Sequence, residues 1–303
     1  MNISTNRIFL FCLCLCVSVC VCVWLQVFTH EAHAAAFETL NVGARPTGMG
    51  GAYVAVADDG LAAFYNPAGL TSLKRRRVES SYTDHFNLGL INRNFLAYAQ
   101  PKIGRGAMAV SMNNLSTSQK VRFIDYSENT FGFSFAYPVW RGLSAGATLK
   151  YFWVNYDKRA TGYGYDLALL LRLAGDYKFG ILMRNANHPN IRWQTQATDR
   201  LPTEWEIGVS GSIGRHGIVS FQWDRSSESR ENSLLKFGGE FWVNDRRAAT
   251  RAGIRGGLIL DSNQDWIYTA GMSVVIKALE FSYGVRFHFD LDAEHTFSLN
   301  FGF

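Results

Sequence analysis

The nearest approach to a catalytic pair in this 303-residue chain is Asp84-His85, a carboxylate beside an imidazole. Such a pair activates a hydroxyl or a water when a third group orients it. The sequence supplies no obvious third group. It has no Gly-x-Ser-x-Gly turn, and beyond residue 34 its histidines (His85, His188, His216, His288 and His295) are scattered singly. Asp58-Asp59 would suit a cation, but a pair of carboxylates satisfied by backbone amides or lumen arginines is the preferred reading. Asp290-Leu291-Asp292 has the chemistry of a turn. Gly48-Met49-Gly50-Gly51-Ala52 is glycine-rich enough to approach a phosphate. However, it lacks a preceding strand, a third glycine at the right spacing and a following βαβ unit. All five cysteines (Cys12, Cys14, Cys16, Cys20 and Cys22) fall inside one apolar run. If that run is removed, thiol nucleophiles, disulfides and Cys-ligated metals go with it. These patterns predict no enzyme, no metal site and no cofactor.

The apolar run, residues 8–25, follows Arg7 and precedes Ala32-His33-Ala34, with Ala34-Ala35-Ala36 as a second cleavage site. Residues 1–34 therefore read as a secretory signal peptide. Retention as an anchor is the alternative, since the run just reaches spanning length. A lipoprotein signal is disfavoured because Cys20 follows Val17-Ser18-Val19. No second long apolar run exists, yet the chain is 48% hydrophobic, 14% aromatic and only 18% charged. Disorder requires few aromatics and much charge, and a helical membrane bundle requires several long runs. Both are excluded, so the apolar residues must be buried in short pieces.

Those pieces have period two. Phe131, Phe133, Phe135 and Tyr137 alternate with Gly132, Ser134 and Ala136. Phe281, Tyr283, Val285 and Phe287 alternate with Ser282, Gly284, Arg286 and His288. Alternation places each set on its own face of a strand. About fourteen such segments, each of roughly 8–11 residues, have the length of a tilted bilayer-crossing strand. They fall near 73–82, 91–100, 106–113, 129–138, 143–154, 163–173, 177–185, 203–212, 218–225, 234–243, 248–258, 266–276, 280–289 and 295–303. Connections alternate between short (Lys277-Ala278) and mostly longer, polar ones. That rhythm predicts an all-β, antiparallel up-and-down transmembrane barrel over residues 73–303, short turns at the periplasmic rim and longer loops outside. A soluble sandwich also alternates but has no reason to keep the rhythm. Closure is required because a strand edge in hydrocarbon cannot satisfy its backbone. Trp140, Trp153, Trp193, Trp205, Trp223, Trp242 and Trp266 lie mostly near strand ends, where an aromatic girdle would sit. The terminal strand ends at Phe303, which resembles the signal that barrel-assembly machinery reads.

Alternation aims Arg93, Lys150, Asp166, Arg172, Arg184, Glu206, Lys236, Glu240, Arg251, Arg255, Arg286 and His288 into the lumen, as a salt-bridged filling or as the lining of a path. Much of the net charge of +5 lies in the short turns and at the start of the first strand: Lys74, Arg75, Arg76, Arg77, Lys102, Arg105, Arg141, Arg215, Arg246, Arg247 and Lys277. A basic rim would meet anionic headgroups or a periplasmic partner rather than nucleic acid.

Residues 35–72, ahead of the first strand, lack alternation and are too few for a domain; they would plug or close the barrel as a hatch. Within them stand Arg45, Gly48-Met49-Gly50-Gly51-Ala52, Ala57-Asp58-Asp59 and Asn66-Pro67-Ala68-Gly69-Leu70. Asn66 can bond its downstream backbone, and Pro67 can open a helical turn. This stretch resembles the N-terminal signature of the PorV/PorQ family and, more distantly, of the FadL-type long-chain fatty-acid transporters. The resemblance implies a fourteen-stranded bacterial outer-membrane barrel with a luminal hatch; with the strand count it disfavours an omptin-like protease built on Asp84-His85, a pair expected in the first outer loop. Two functions follow from it. One is a channel for hydrophobic or fatty-acid-like molecules, with the hatch as gate. The other is a secretion component that shuttles or anchors cargo proteins.

Overall fold

The computed structural model describes residues 37, 41–118, 125–227, 233–244, 248–262, 265–288 and 292–303. The signal segment, its cysteines, Arg246, Arg247, Asp290 and Leu291 lie outside the described residues.

Among the described residues, sixteen strands form one antiparallel sheet. In chain order they are β1 (Arg77–His85), β2 (Ile91–Ile103), β3 (Gly106–Thr117), β4 (Ser127–Trp140), β5 (Leu143–Asn155), β6 (Arg159–Arg172), β7 (Lys178–Arg184), β8 (Asn190–Trp193), β9 (Thr198–Arg200), β10 (Glu204–Ile213), β11 (Gly217–Ser226), β12 (Ser233–Trp242), β13 (Thr250–Leu260), β14 (Trp266–Ile276), β15 (Leu279–Phe287) and β16 (Glu294–Gly302). Fourteen of them close into a barrel. β1 pairs with β16 from Arg77↔Gly302 to Asp84↔His295, so the sheet has no free edge there. β7 passes directly to β10, from Lys178↔Ser210 to Arg184↔Glu204. β8 and β9 form a small hairpin attached to β6 at Ala160↔Trp193 and Thr161↔Arg192.

The alternation seen in the sequence appears as alternating exposure. Along β6, Tyr163, Tyr165, Leu167 and Leu169 are exposed while Gly162, Gly164, Asp166, Ala168 and Leu170 are buried. The outward set across the barrel includes Phe131, Phe133, Phe135, Leu149, Ile254, Met272, Phe281, Phe297 and Leu299. A belt of this kind far exceeds the few hundred Å² of contiguous apolar patch that a soluble monomer exposes. It is the surface a bilayer covers.

Four details differ from the sequence expectations. β1 begins at Arg77, not at residue 73, because Pro67–Ser72 is a 3-10 turn and Leu73 is buried beneath the barrel mouth. Asp84-His85 ends β1 instead of lying in an outer loop, since their pairing with Asn92 and Ile91 continues the ladder. The 186–202 connection carries the β8–β9 hairpin. Trp242 faces inward and is buried, while Trp140, Trp205 and Trp266 are exposed near strand ends.

Candidate functional site

Residues 41–72 fill the lumen. Helix α1 (Ala44–Gly48), helix α2 (Ala62–Tyr65) and the 3-10 turn give the segment its shape. Asn66 joins the last two. Its Oδ1 accepts from Ala68 N at 3.1 Å, and its Nδ2 donates to Val54 O at 2.8 Å and to Leu169 O on β6 at 3.1 Å. Pro67 occupies the first position of the 3-10 turn, where its missing N–H costs nothing. Gly50 and Gly51 take left-handed φ angles of 62° and 72°, which only glycine adopts without strain.

Backbone meets backbone where this segment touches the wall. A Cβ at Gly257 on β13 would lie 2.2 Å from Gly50 N, and one at Gly238 on β12 would lie 2.4 Å from Met49 O. Gly284 on β15 faces Ala44 O, Gly271 on β14 faces Gly48, Gly146 on β5 faces Ala68 N and Gly180 on β7 faces Val54 O. Sequence reasoning missed these wall glycines. Their only signal was glycine at inward positions of predicted strands.

Arg45 is the centre of the polar fastening. Its Nε and Nη2 meet Glu240 of β12 at 2.8 and 3.0 Å as a bidentate pair. Its Nη1 donates to Asp58 at 2.7 Å, Asp59 at 2.9 Å and the Tyr53 hydroxyl at 2.7 Å. Glu240 also accepts from Arg255 Nε at 2.7 Å and from Trp242 Nε1 at 2.9 Å. Burial by itself opposes ionisation of Asp58, but Arg45 and Lys178 outweigh it and hold that carboxyl below the ordinary carboxylate range. The second fastening is Gln222 of β11, fully buried, whose Oε1 accepts from both Tyr53 N and Val54 N at 2.8 Å. It is another residue that the sequence did not single out beyond its inward phase.

The remaining inward charges fall into groups. Lys150 pairs with Asp166 at 2.6 Å, Arg184 pairs with Glu206, and Lys236 pairs with Asp224 at 2.5 Å. Arg184 also donates to Phe64 O at 2.9 Å. Arg93 is buried beside Phe95. Arg172 lies exposed at the short-turn end and donates to Thr71 and Ser72. Arg251 lies over the Trp242 ring at 4.7 Å. At the opposite end Arg286 stands across from Glu294, which meets His85 Nδ1 at 3.1 Å, and His288 packs against Phe86. His85 is thus spent on a lumen carboxylate. Among the described residues no three His, Cys, Asp or Glu side chains gather closely enough to hold a metal ion. Phe303 exchanges backbone bonds with Arg76 and stacks on Phe301.

Two spaces flank the plug. A vestibule of about 910 Å³ opens at the short-turn end, lined by Arg77, Arg172, Lys178, Arg251 and one face of Asp58. On the other side lies a chamber of about 60 Å³, lined by Phe37, Phe64, Phe95, Phe152, Leu115 and a set of polar groups. Phe37 is inserted into it. Its ring meets Phe152 edge-to-face at 4.8 Å, and its N–H donates to Glu128 at 2.8 Å. Nothing in the sequence hints at this role beyond a lone aromatic after three alanines.

A fourteen-stranded barrel with its own N-terminal residues packed in the lumen defines the structural class. No family model and no curated protein matches the sequence. Solved structures do share the fold. The monoaromatic hydrocarbon channel CymD superposes with a TM-score of 0.67 at 14% identity, covering 88% of this chain and 99% of that one. The Ralstonia pickettii toluene transporter TbuX gives 0.65 at 15% identity, covering 88% and 100%. A Pseudomonas aeruginosa FadL homologue gives 0.60 at 11% identity, covering 88% and 99%. At such identities the likeness is one of fold. These neighbours are transporters or channels, not enzymes.

Proposed function

We propose that this chain is a bacterial outer-membrane channel for small hydrophobic or amphiphilic molecules, held closed here by residues 41–72 and by Phe37. In this reading residues 1–34 direct export and are removed, residues 35–72 are the hatch, Phe303 belongs to the assembly signal and no chemistry is performed on the cargo. The observation that carries it is the chamber above the hatch, lined by four phenyl rings among polar and charged side chains, inside a fold shared with hydrocarbon channels. At about 60 Å³ the chamber is smaller than the space that holds benzene, which is about 150 Å³ in an apolar protein cavity. Passage therefore requires Phe37 to leave. That residue is suited to leaving, because its backbone is left-handed, with φ 63°. Such a conformation costs a non-glycine residue about 1–3 kcal/mol.

The PorV-like alternative, a barrel that shuttles or anchors secreted cargo, also expects an occluded lumen. It has no use for a phenyl-filled chamber facing away from the vestibule, and the channel reading does. The test is uptake of labelled toluene and labelled fatty acid into liposomes holding protein whose folding is verified by heat-modifiable gel mobility. Uptake above empty liposomes, raised by Phe37→Ala, is expected. Equal uptake with and without folded protein, for both compounds and both variants, would remove the channel reading.

A further inference from the structure

The two rims of the barrel differ in charge. At the long-loop end both signs stand together: Lys158 and Arg159 follow Asp157, and Arg200 follows Asp199. At the short-turn end Lys102 and Arg105 lie at the β2–β3 turn, Arg141 in the β4–β5 turn and Arg215 in the β10–β11 turn, all four exposed. Among the described residues of the short turns, Asp176 is the one exposed acidic side chain. The four cations border the outward apolar belt. Arg105 sits over the exposed ring of Tyr137 at 5.6 Å. Arg141 follows Val139 and Trp140, the latter 77% exposed. Lys102 precedes the exposed Ile103, and Arg215 stands two residues beyond the exposed Ile213. None of the four lines the vestibule.

We propose that this rim binds anionic phospholipid, the headgroup phosphate resting between turn cations and the acyl chains lying along the outward belt. The proposal rests on the barrel's place in a bilayer and not on whether it passes cargo. Long basic side chains lay their stems on apolar surface and keep the charge at the polar boundary. Exposed aromatics such as Tyr137 and Trp140 sit at headgroup depth, so the cations beside them meet phosphate. An acidic protein partner would need one contiguous patch of about 800 Å². The β2–β3 and β10–β11 turns instead lie on nearly opposite sides of the closed barrel, and a shell of lipid reaches both. A zwitterionic headgroup offers the same phosphate but cancels it with its own ammonium, so the rim prefers a net negative headgroup.

The experiment is electron spin resonance of the protein folded into phosphatidylcholine vesicles with a trace of spin-labelled lipid. It reads the fraction of label held motionally restricted at the barrel surface. Phosphatidylglycerol label is expected to be restricted about two- to fivefold more strongly than phosphatidylcholine label in dilute salt. The upper figure is the factor that one basic residue provides at an anionic surface. The preference should fall toward one in molar salt, where the screening length shrinks to about 3 Å. It should fall likewise when Lys102→Gln, Arg105→Gln, Arg141→Gln and Arg215→Gln are combined. Combining Lys158→Gln, Arg159→Gln, Arg192→Gln and Arg200→Gln at the other rim should leave it in place. Heat-modifiable gel mobility verifies folding of each variant. Equal restriction of the two labels by the unsubstituted protein would overturn the proposal and turn attention to an acidic protein partner. A preference that persists in molar salt, survives the short-turn substitutions or vanishes with the loop-end ones would overturn it as well. None of these results touches uptake through the lumen, so the channel reading stands or falls separately.

Discussion

The hatch meets the two halves of the barrel in different ways. Against β12–β15 it lies backbone on backbone: Met49 and Gly50 press on Gly238 and Gly257, Ala44 presses on Gly284, and Arg45 is bound into Glu240. Against β2–β6, beyond the 3-10 turn and its contact with Gly146, it leaves a chamber, and the wall facing that chamber carries Phe95, Phe152 and Leu115 beside charged side chains such as Arg93, Lys150 and Asp166. Glycine without a side chain permits contact closer than any other residue allows, so the first half behaves as a weld. Phenyl rings fill space by packing and can be replaced by other rings. In the channel reading proposed above, the difference locates rigidity and exchange: opening that disturbs the fewest fastenings would occur on the chamber side, with α1 fixed to its wall.

The weld is broken most severely at Glu240. Glu240→Ala leaves Arg45 and Arg255 facing each other in a buried site without the carboxylate that both share. Removing one partner of a buried ion pair costs about 3–5 kcal/mol. The expected result is a lowered urea midpoint together with protease cleavage within residues 41–72, measured on the folded barrel. An unchanged cleavage pattern would mean that the glycine contacts alone hold the segment. The next effect in size belongs to Gly257→Ala, whose new Cβ would sit 2.2 Å from Gly50 N. Overpacking of this kind costs about 1–3 kcal/mol. Its neighbour Gly256 points outward with nothing within 4 Å of an added Cβ, so Gly256→Ala supplies the matched control and should leave the midpoint in place. Equal losses at both positions would assign the effect to strand propensity instead of to hatch contact.

The division between legible and illegible features follows the physics of period two. Alternation depends only on which face each residue takes, so it places all fourteen barrel strands within a few residues, β1 excepted at its start. It misplaces Asp84-His85, because a polar pair at a strand end looks like a loop until its partner carboxylate, Glu294, is seen 209 positions away. The β8–β9 hairpin stays hidden because it is short and largely polar, with neither a lipid face nor a core to pattern it. Within the hatch, Arg45, Asp58 and Asp59 stand out by type. Their common partner Glu240 appears only as one inward charge among twelve. Phe37 and Gln222 act through where they end up, and nothing in their immediate neighbours specifies that place.

The smallest expected effect concerns acid. Arg45, Asp58, Asp59 and Glu240 all border the vestibule, and Asp58 is the most exposed of them, its side chain 33% exposed. Its carboxyl is nevertheless held below the ordinary range by Arg45 and Lys178, against the opposing effect of burial. A carboxylate whose folded pKa lies below its unfolded value contributes stability that is fully present above the unfolded value, about 3.9 for aspartate. That contribution is lost as pH falls through the lowered folded value. The difference in urea midpoint between the natural protein and Asp58→Asn should therefore be flat from pH 7 to pH 5 and shrink only below about pH 4. Taking the difference cancels the titration of the other carboxylates. Phe37→Ala, on the chamber side, should show no such pH-dependent difference, because no carboxylate of the weld touches it. A gap that closes between pH 7 and pH 5 would show that Asp58 titrates as an ordinary or raised carboxyl, and that Arg45 is held by Glu240, Asp59 and Tyr53 without it.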